Sequence, residues 1–285
     1  MQPLVEHRLT LAGHETRVLE LEGEGPPLVL LHGWADSADT WRLVLDRLAH
    51  LERPALALDL PGFGAAAPLN GGPVLPQLDA FARAAVEHAA PGGGALVAGN
   101  SLGGAIALRL AQEEDLGLAG VVPVAPAGLD MARWFVLVER DPLVRAILGS
   151  PLPVPGPVVR WTVEEVYRRL VFRRPGKIDR RVVSTFARHL DGKATAARIL
   201  ESGRRLLPEL RDPYDLERIS CPVLLVWGRQ DAMVFQTGAD RVLDVVPDSR
   251  LVVIEDCGHC PQLEVPERLT ELLLEFPSSV VRASS

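Results

Sequence analysis

Three cysteines are too few to staple a fold of 285 residues. That excludes a disulfide scaffold and makes a reducing compartment the simplest expectation. The start, "MQPLVEHRLT", lacks a basic stretch followed by an apolar one, so no secretory leader is expected. No apolar run approaches the roughly 20 residues that cross a bilayer. The expected location is therefore the cytoplasm. A positive balance is missing too: the formal net charge is −7, which argues against nucleic acid as a partner. Lysine is nearly absent, with Lys177 and Lys193 standing alone, and reads as coding bias more than function.

What is present is apolar material, 47% of the chain, enough for a substantial core. Charge is unevenly spread. Residues 129–213 hold 17 of the 30 Lys/Arg and 10 of the 37 Asp/Glu, so this segment is basic and the remainder strongly acidic. Such a shift marks a candidate domain boundary. Either arginine-rich helices simply face water there, or a basic module lies over an acidic body and draws in anionic substrates.

Short apolar runs alternate with helical spacings. "HRLTLAG" and "ETRVLELEG" read as a hairpin. "PPLVLLHG", "PALALDLPGFG", "GALVAGN", "LAGVVPVAPAG", "CPVLLVWG" and "SRLVVIED" read as strands, mostly buried on both faces. Helical patterns fall between them. Eight strand candidates alternating with helices predict an α/β protein with a mostly parallel sheet and helices on both faces. The basic segment shows helical patterns such as "WTVEEVYRRLVF" and "ATAARILESGRRLL" and reads as a helical insertion. No internal repeat is present.

Ligands of such sheets bind beyond the carboxyl ends of the strands. After "GALVA" comes "GNSLGG", residues 99–104. It fits G-x-S-x-G between a strand and a helix, a tight turn that exposes a serine oxygen. The competing reading is a glycine-rich connection with an N-capping serine. A serine nucleophile needs a base, and the base an orienting acid. Of seven histidines, His7 and His14 belong to the hairpin. His50, His88 and His189 lie in helical patterns, and His32 precedes the serine. His259 follows the last strand in a loop able to reach back over the sheet. Asp231 follows the next-to-last strand, so Ser101, Asp231 and His259 run in the chain order this architecture uses. Asp256 is a rival acid, better placed to turn the chain. The backbone N–H groups of Leu102 and Trp34 are the candidate oxyanion donors, with Gly33 allowing close backbone approach. The Trp34 side chain either lines an acyl pocket or simply packs.

"LHGW", "DLPGFG", "GNSLGG", "WGRQD" and "CGHCPQLEVPE" together resemble the α/β-hydrolase fold family over residues 20–275. The resemblance implies a Ser101–Asp231–His259 triad. It also implies a core of residues 1–128 and 214–285 carrying a helical cap at 129–213. The histidine of "CGHC" is then the base, rather than the Cys-x-x-Cys pair being a redox or zinc motif; Cys221 stands too far off to complete one. Oxidation of Cys257 and Cys260 to a disulfide would strain that loop. Relatives resembling haloalkane dehalogenases and epoxide hydrolases use aspartate where Ser101 stands. The "HGW" loop lacks both the "HGGG" run of some lipases and the Gly/Pro-rich loop of carbon–carbon bond hydrolases. Asn100 and Trp227 are compatible with the latter class. With Gly33 they are candidate pocket residues, turn stabilisation and packing being their other readings. "WFVLV" and "VYRRLVF" offer apolar material for a pocket roof or for cap core.

The expectation is a cytoplasmic serine hydrolase of small to medium carboxylic esters, using no metal or organic cofactor. A carbon–carbon bond hydrolase of ring-fission products is the second reading, and a non-catalytic module on the same fold the third. A small-molecule ester is the expected partner, and oligomeric state is not legible.

Overall fold

The computed structural model describes residues 2–132, 155–174, 176 and 192–283. "WFVLV", His189 and much of the basic segment lie outside them. The hairpin comprises β1 (Val5–Leu11) and β2 (His14–Leu21). Ala12 and Gly13 both take positive φ, 46° and 80°, the backbone a two-residue hairpin turn requires. Then follow β3 (Leu28–Leu31), α1 (Arg42–His50), β4 (Ala55–Leu58), α2 (Leu75–Ala89), β5 (Leu96–Asn100), α3 (Leu102–Leu110) and β6 (Gly120–Val124). The inserted segment contributes α4 (Gly156–Val171) and α5 (Lys193–Glu209). The chain closes with β7 (Val223–Gly228), α6 (Asp240–Leu243), β8 (Ser249–Ile254), α7 (Pro261–Glu264) and α8 (Pro266–Ala283).

The eight strands form one sheet in the order β1-β2-β4-β3-β5-β6-β7-β8. β2 is antiparallel to both neighbours, and every pair from β4 onward is parallel. This is the α/β architecture the alternation predicts. Both faces of the central strands are buried, which is why "LVLL" and "ALAL" carry no polar alternation. Val29 and Leu31 pack on the face covered by α2 and α3. Leu28 and Leu30 pack on the other, against Trp41, Leu45 and Leu48 of the α1 side and Leu269, Leu273 and Phe276 of α8. The chain leaves β3 in one direction toward β4 and returns past it to β5, so the loops after β3 and β5 diverge and open a crevice between them.

The backbone at residues 127–128 lies beside that at residues 213–214. A Cβ on Gly128 would lie 2.6 Å from Pro213, and Tyr214 donates its hydroxyl hydrogen bond to the carbonyl of Ala127. α5 then runs back across the crevice. Glu209 accepts the N–H groups of Val74 and Leu75 at 2.7 and 2.8 Å, capping the start of α2. Leu206 and Leu210 join the core.

Candidate active site

Ser101 sits between β5 and α3 with φ 54° and ψ −110°. A non-glycine residue in that region is strained, and the strain holds because the surroundings over-determine it. Ser101 N–H donates to Val124 O at 2.9 Å, and its carbonyl accepts from Ala105 and Ala127. The flanking glycines are steric necessities. A Cβ on Gly99 would lie 2.2 Å from Gly103 carbonyl atoms, and one on Gly103 would lie 2.2 Å from Leu31 O. The turn therefore presses directly on β3.

The Ser101 end of the crevice holds a cavity of about 30 Å³. Trp34, Leu102 and Ala127 line it from the sheet side, Met131 from the start of the segment after β6, and Gly203 and Leu206 from α5. Leu102 opens α3, where the first amides lack intrahelical partners and the helix dipole favours negative charge. Trp34 stands in the loop after β3, and its indole N–H donates to Ser202 Oγ of α5 at 3.1 Å. His32 braces this loop from behind. Its Nε2 accepts Leu60 N–H at 2.8 Å, which leaves Nδ1 to donate to Gly33 O at 2.7 Å. A Cβ on Gly33 would rest 3.4 Å from Ser101 Cβ, an ordinary contact. Close approach to Ser101 is thus real, but glycine is not obligatory for it.

Asp231 and His259 meet at 2.7 Å, Oδ2 to Nδ1, both buried. A carboxylate only accepts, so Nδ1 donates and Nε2 presents its lone pair. Nε2 is buried with no hydrogen-bond partner among the described residues. The second oxygen of Asp231 accepts Met233 and Val234 N–H at 2.8 and 3.0 Å. The two loops interlock: Gln230 N–H donates to Cys257 O, and a Cβ on Gly228 would lie 2.0 Å from Gly258 O. Asp256, the rival acid, is exposed and pairs with Arg174 at 3.1 Å.

Asn100 and Trp227 do not line the cavity. Asn100 is buried beneath it, donating to His259 O at 2.9 Å and accepting from Gln262 at 3.1 Å. It ties the loop carrying His259 to the strand that precedes Ser101. Trp227 is fully buried, and its indole donates to Val234 O at 2.9 Å, fixing the loop whose amides hold Asp231. Both side chains are buried and hydrogen-bonded, which supports turn stabilisation and packing, their other readings.

Cys257 and Cys260 are buried thiols in this structure. Cys257 contacts Glu264 and Cys260 contacts Asn100. Burial, reinforced by Glu264, pushes the Cys257 thiol far above its usual range, opposite to what a redox thiolate needs. Among the described residues no group of three or more His, Cys, Asp or Glu is arranged to hold a metal ion. Sequence reasoning passed over Glu264, Gln262 and Ser202. The first two sit inside the "CGHCPQLEVPE" stretch, where buried polar residues after the histidine were the available signal. Nothing in sequence singles out Ser202.

A mostly parallel sheet with a strained serine after its fifth strand in chain order places the protein among α/β hydrolases by fold. Comparison with known families agrees: the alpha/beta hydrolase family model matches residues 28–272, and the chain belongs to that family. A pimeloyl-[acyl-carrier protein] methyl ester esterase of Nitrosomonas europaea is 30% identical over 254 residues, covering 88% of this chain and 95% of the relative. A 2-hydroxy-6-oxo-6-(2'-aminophenyl)hexa-2,4-dienoic acid hydrolase of Metapseudomonas resinovorans is 27% identical, covering 96% and 91%. Among solved structures, a serine hydrolase involved in carbazole degradation superposes with a TM-score of 0.78 at 25% identity, covering 97% of this chain and 99% of that one. These relatives are hydrolases and esterases. Among the described residues no helix is long and apolar enough to cross a membrane.

Proposed function

We propose that this chain is a serine hydrolase that cleaves carboxylic esters of small to medium size through an acyl-enzyme. The observation that carries the reading is the buried His259–Asp231 pair, 2.7 Å apart, whose unpartnered Nε2 sits on a loop bonded to the residue before Ser101. In this reading Ser101 Oγ attacks the ester carbonyl and His259 Nε2 takes its proton. Asp231 orients the ring and stabilises the imidazolium. The N–H groups of Trp34 and Leu102 receive the developing oxyanion. The imidazolium then protonates the departing alcohol. Water, deprotonated by His259, releases the acid and restores the serine. Residues 129–213 serve as a cap over the cavity.

The small apolar cavity supports a compact acyl or alcohol group. The net positive charge of residues 129–213, and the relative named for an acyl-carrier-protein methyl ester, support an anionic substrate. The relative named for a hexadienoic acid hydrolase supports carbon–carbon bond cleavage as the second reading. Hydrolysis of p-nitrophenyl esters from acetate to laurate, with Ser101→Ala as control, tests the first. Turnover of short or medium chains, lost in Ser101→Ala, is the expected result. A folded wild-type protein that hydrolyses none of them, but opens ring-fission diketones, would favour the second. Turnover of an acidic ester that is indifferent to salt would remove the anionic preference.

A further inference from the structure

The loop carrying His259 is tied by its backbone to two separate parts of the molecule. His259 N–H donates to the carbonyl of Val171, the last residue of α4, at 2.8 Å. Gly258 N–H donates to Glu264 Oε1 at 2.8 Å. The other oxygen of the same carboxylate accepts Arg173 N–H at 2.9 Å. Cys257 Sγ lies 3.8 Å from Oε1, as a weak third donor. The fit is tight: a Cβ on Gly258 would lie 2.5 Å from Val171 O and 2.8 Å from Arg173 N. Between these contacts Phe172 is buried in the core with extended backbone, φ −99° and ψ 137°.

One carboxylate thus closes the loop behind the histidine and fastens it to the inserted segment where that segment leaves α4. Burial raises the Glu264 carboxyl above its usual range, and the amides it accepts oppose that shift. A buried carboxylate is costly unless its hydrogen bonds are made. Here both oxygens make one to a backbone amide, which a carboxamide cannot reproduce because one of its two ends only donates. Glu264 does not line the Ser101 cavity, so it acts through His259.

We propose that Glu264 is a positioning residue that couples the base to the inserted segment. It holds His259 in register with Asp231 and Ser101 by joining residues 257–259 to residues 171–173. Displacing the segment withdraws the base, so the site is chemically competent only while the segment is seated. This rests on the reading of His259 as the base of a serine hydrolase.

The test uses the full chain with Glu264→Gln and Glu264→Ala. Misplacing a catalytic group by about 1 Å costs about a hundredfold in rate. The alanine variant should therefore lose about a hundredfold in kcat and the glutamine variant about tenfold, with KM within about twofold in both. Partial rescue by glutamine separates positioning from bulk. Hydrogen exchange should rise together in residues 257–260 and 171–174 while α5 stays protected. A folded alanine variant with wild-type kcat, or exchange that rises in the histidine loop alone, overturns the proposal. If the alanine variant does not fold, the glutamine variant decides by the same two readouts. A wild-type protein that neither turns over esters nor reacts with a fluorophosphonate would sink the hydrolase reading instead. Exchange in Glu264→Gln would still judge the coupling.

Discussion

The two halves of the proposed machinery are held in place by different physics. Ser101 is fixed by sterics: its strained backbone is wedged against β3, with glycines where any Cβ would strike a carbonyl. His259 is fixed by hydrogen bonds: to Asp231, to Asn100 and to Val171, with Glu264 behind its loop. The first arrangement has little freedom, because backbone atoms in a packed core do not yield. The second can be released by moving one partner. If the proposed enzyme admits substrate under α5, it keeps Ser101 rigid and places its adjustable contacts on His259.

Two substitutions should separate these modes most sharply. Asp231→Asn keeps the shape of the acid but offers His259 Nδ1 a different partner and favours the wrong tautomer. A loss of about 10³ to 10⁴ in kcat is expected, with thermal stability nearly unchanged. Steady-state kinetics beside a melting curve would show it, and retained activity would remove Asp231 from the proposed triad. Gly103→Ala should do the reverse. Its Cβ would lie 2.2 Å from Leu31 O. Overpacking of this kind should cost about 3 kcal/mol or more of stability, read from denaturant unfolding. A stable Gly103→Ala protein would show that β3 can yield and that the turn is less rigid than its geometry implies.

The same division explains what was legible in the sequence. The sterically locked half writes itself as glycines at fixed offsets around a serine after a buried run, and strand order follows from periodicity. The Asp231–His259 pairing was legible because each residue lies in the loop that follows a strand. The hydrogen-bonded supports were not. Asn100 and Trp227 looked like pocket residues because they flank the nucleophile and the acid in sequence. Both are buried, however, and spend their polar atoms on His259, Gln262 and Val234. Gly33 read as allowing close backbone approach, and a Cβ there would still sit at ordinary contact distance. The contact of Ser202 with Trp34 and that of Glu264 with Arg173 span 168 and 91 residues, beyond any local pattern.

Trp227 offers a smaller perturbation on the adjustable side. Trp227→Phe keeps an aromatic ring in the core but removes the donor to Val234 O. The unpaired carbonyl and the lost volume together should cost about 2 kcal/mol of stability. Because Val234 N–H also holds Asp231, kcat should fall by about tenfold, consistent with a slight displacement of the acid. Equal kcat in the two proteins would mean that the acid loop holds its shape without the indole.

The last effect is read through pH and concerns the loop after β3, which should respond to pH where the serine turn does not. Asp36 is buried there, accepting Ser37 N–H at 2.7 Å on Oδ1, while Oδ2 has no partner among the described residues. Burial pushes its carboxyl up to about 8, with Asp59 and Asp39 adding repulsion and Ser37 and Thr40 opposing it. The folded protein therefore keeps this proton over a range in which the unfolded chain has released it. Stability contributed by the group falls as pH rises from about 4 to about 8, and then levels off. Asp36→Asn has no proton to lose. Relative to wild type, its unfolding free energy should rise with pH across that window, by at most about 1.4 kcal/mol per pH unit. Melting curves at pH 5, 6.5 and 8 read the effect directly. Parallel curves for the two proteins would mean that Asp36 is already ionised in the fold, and that this loop is as indifferent to pH as the serine turn beside it.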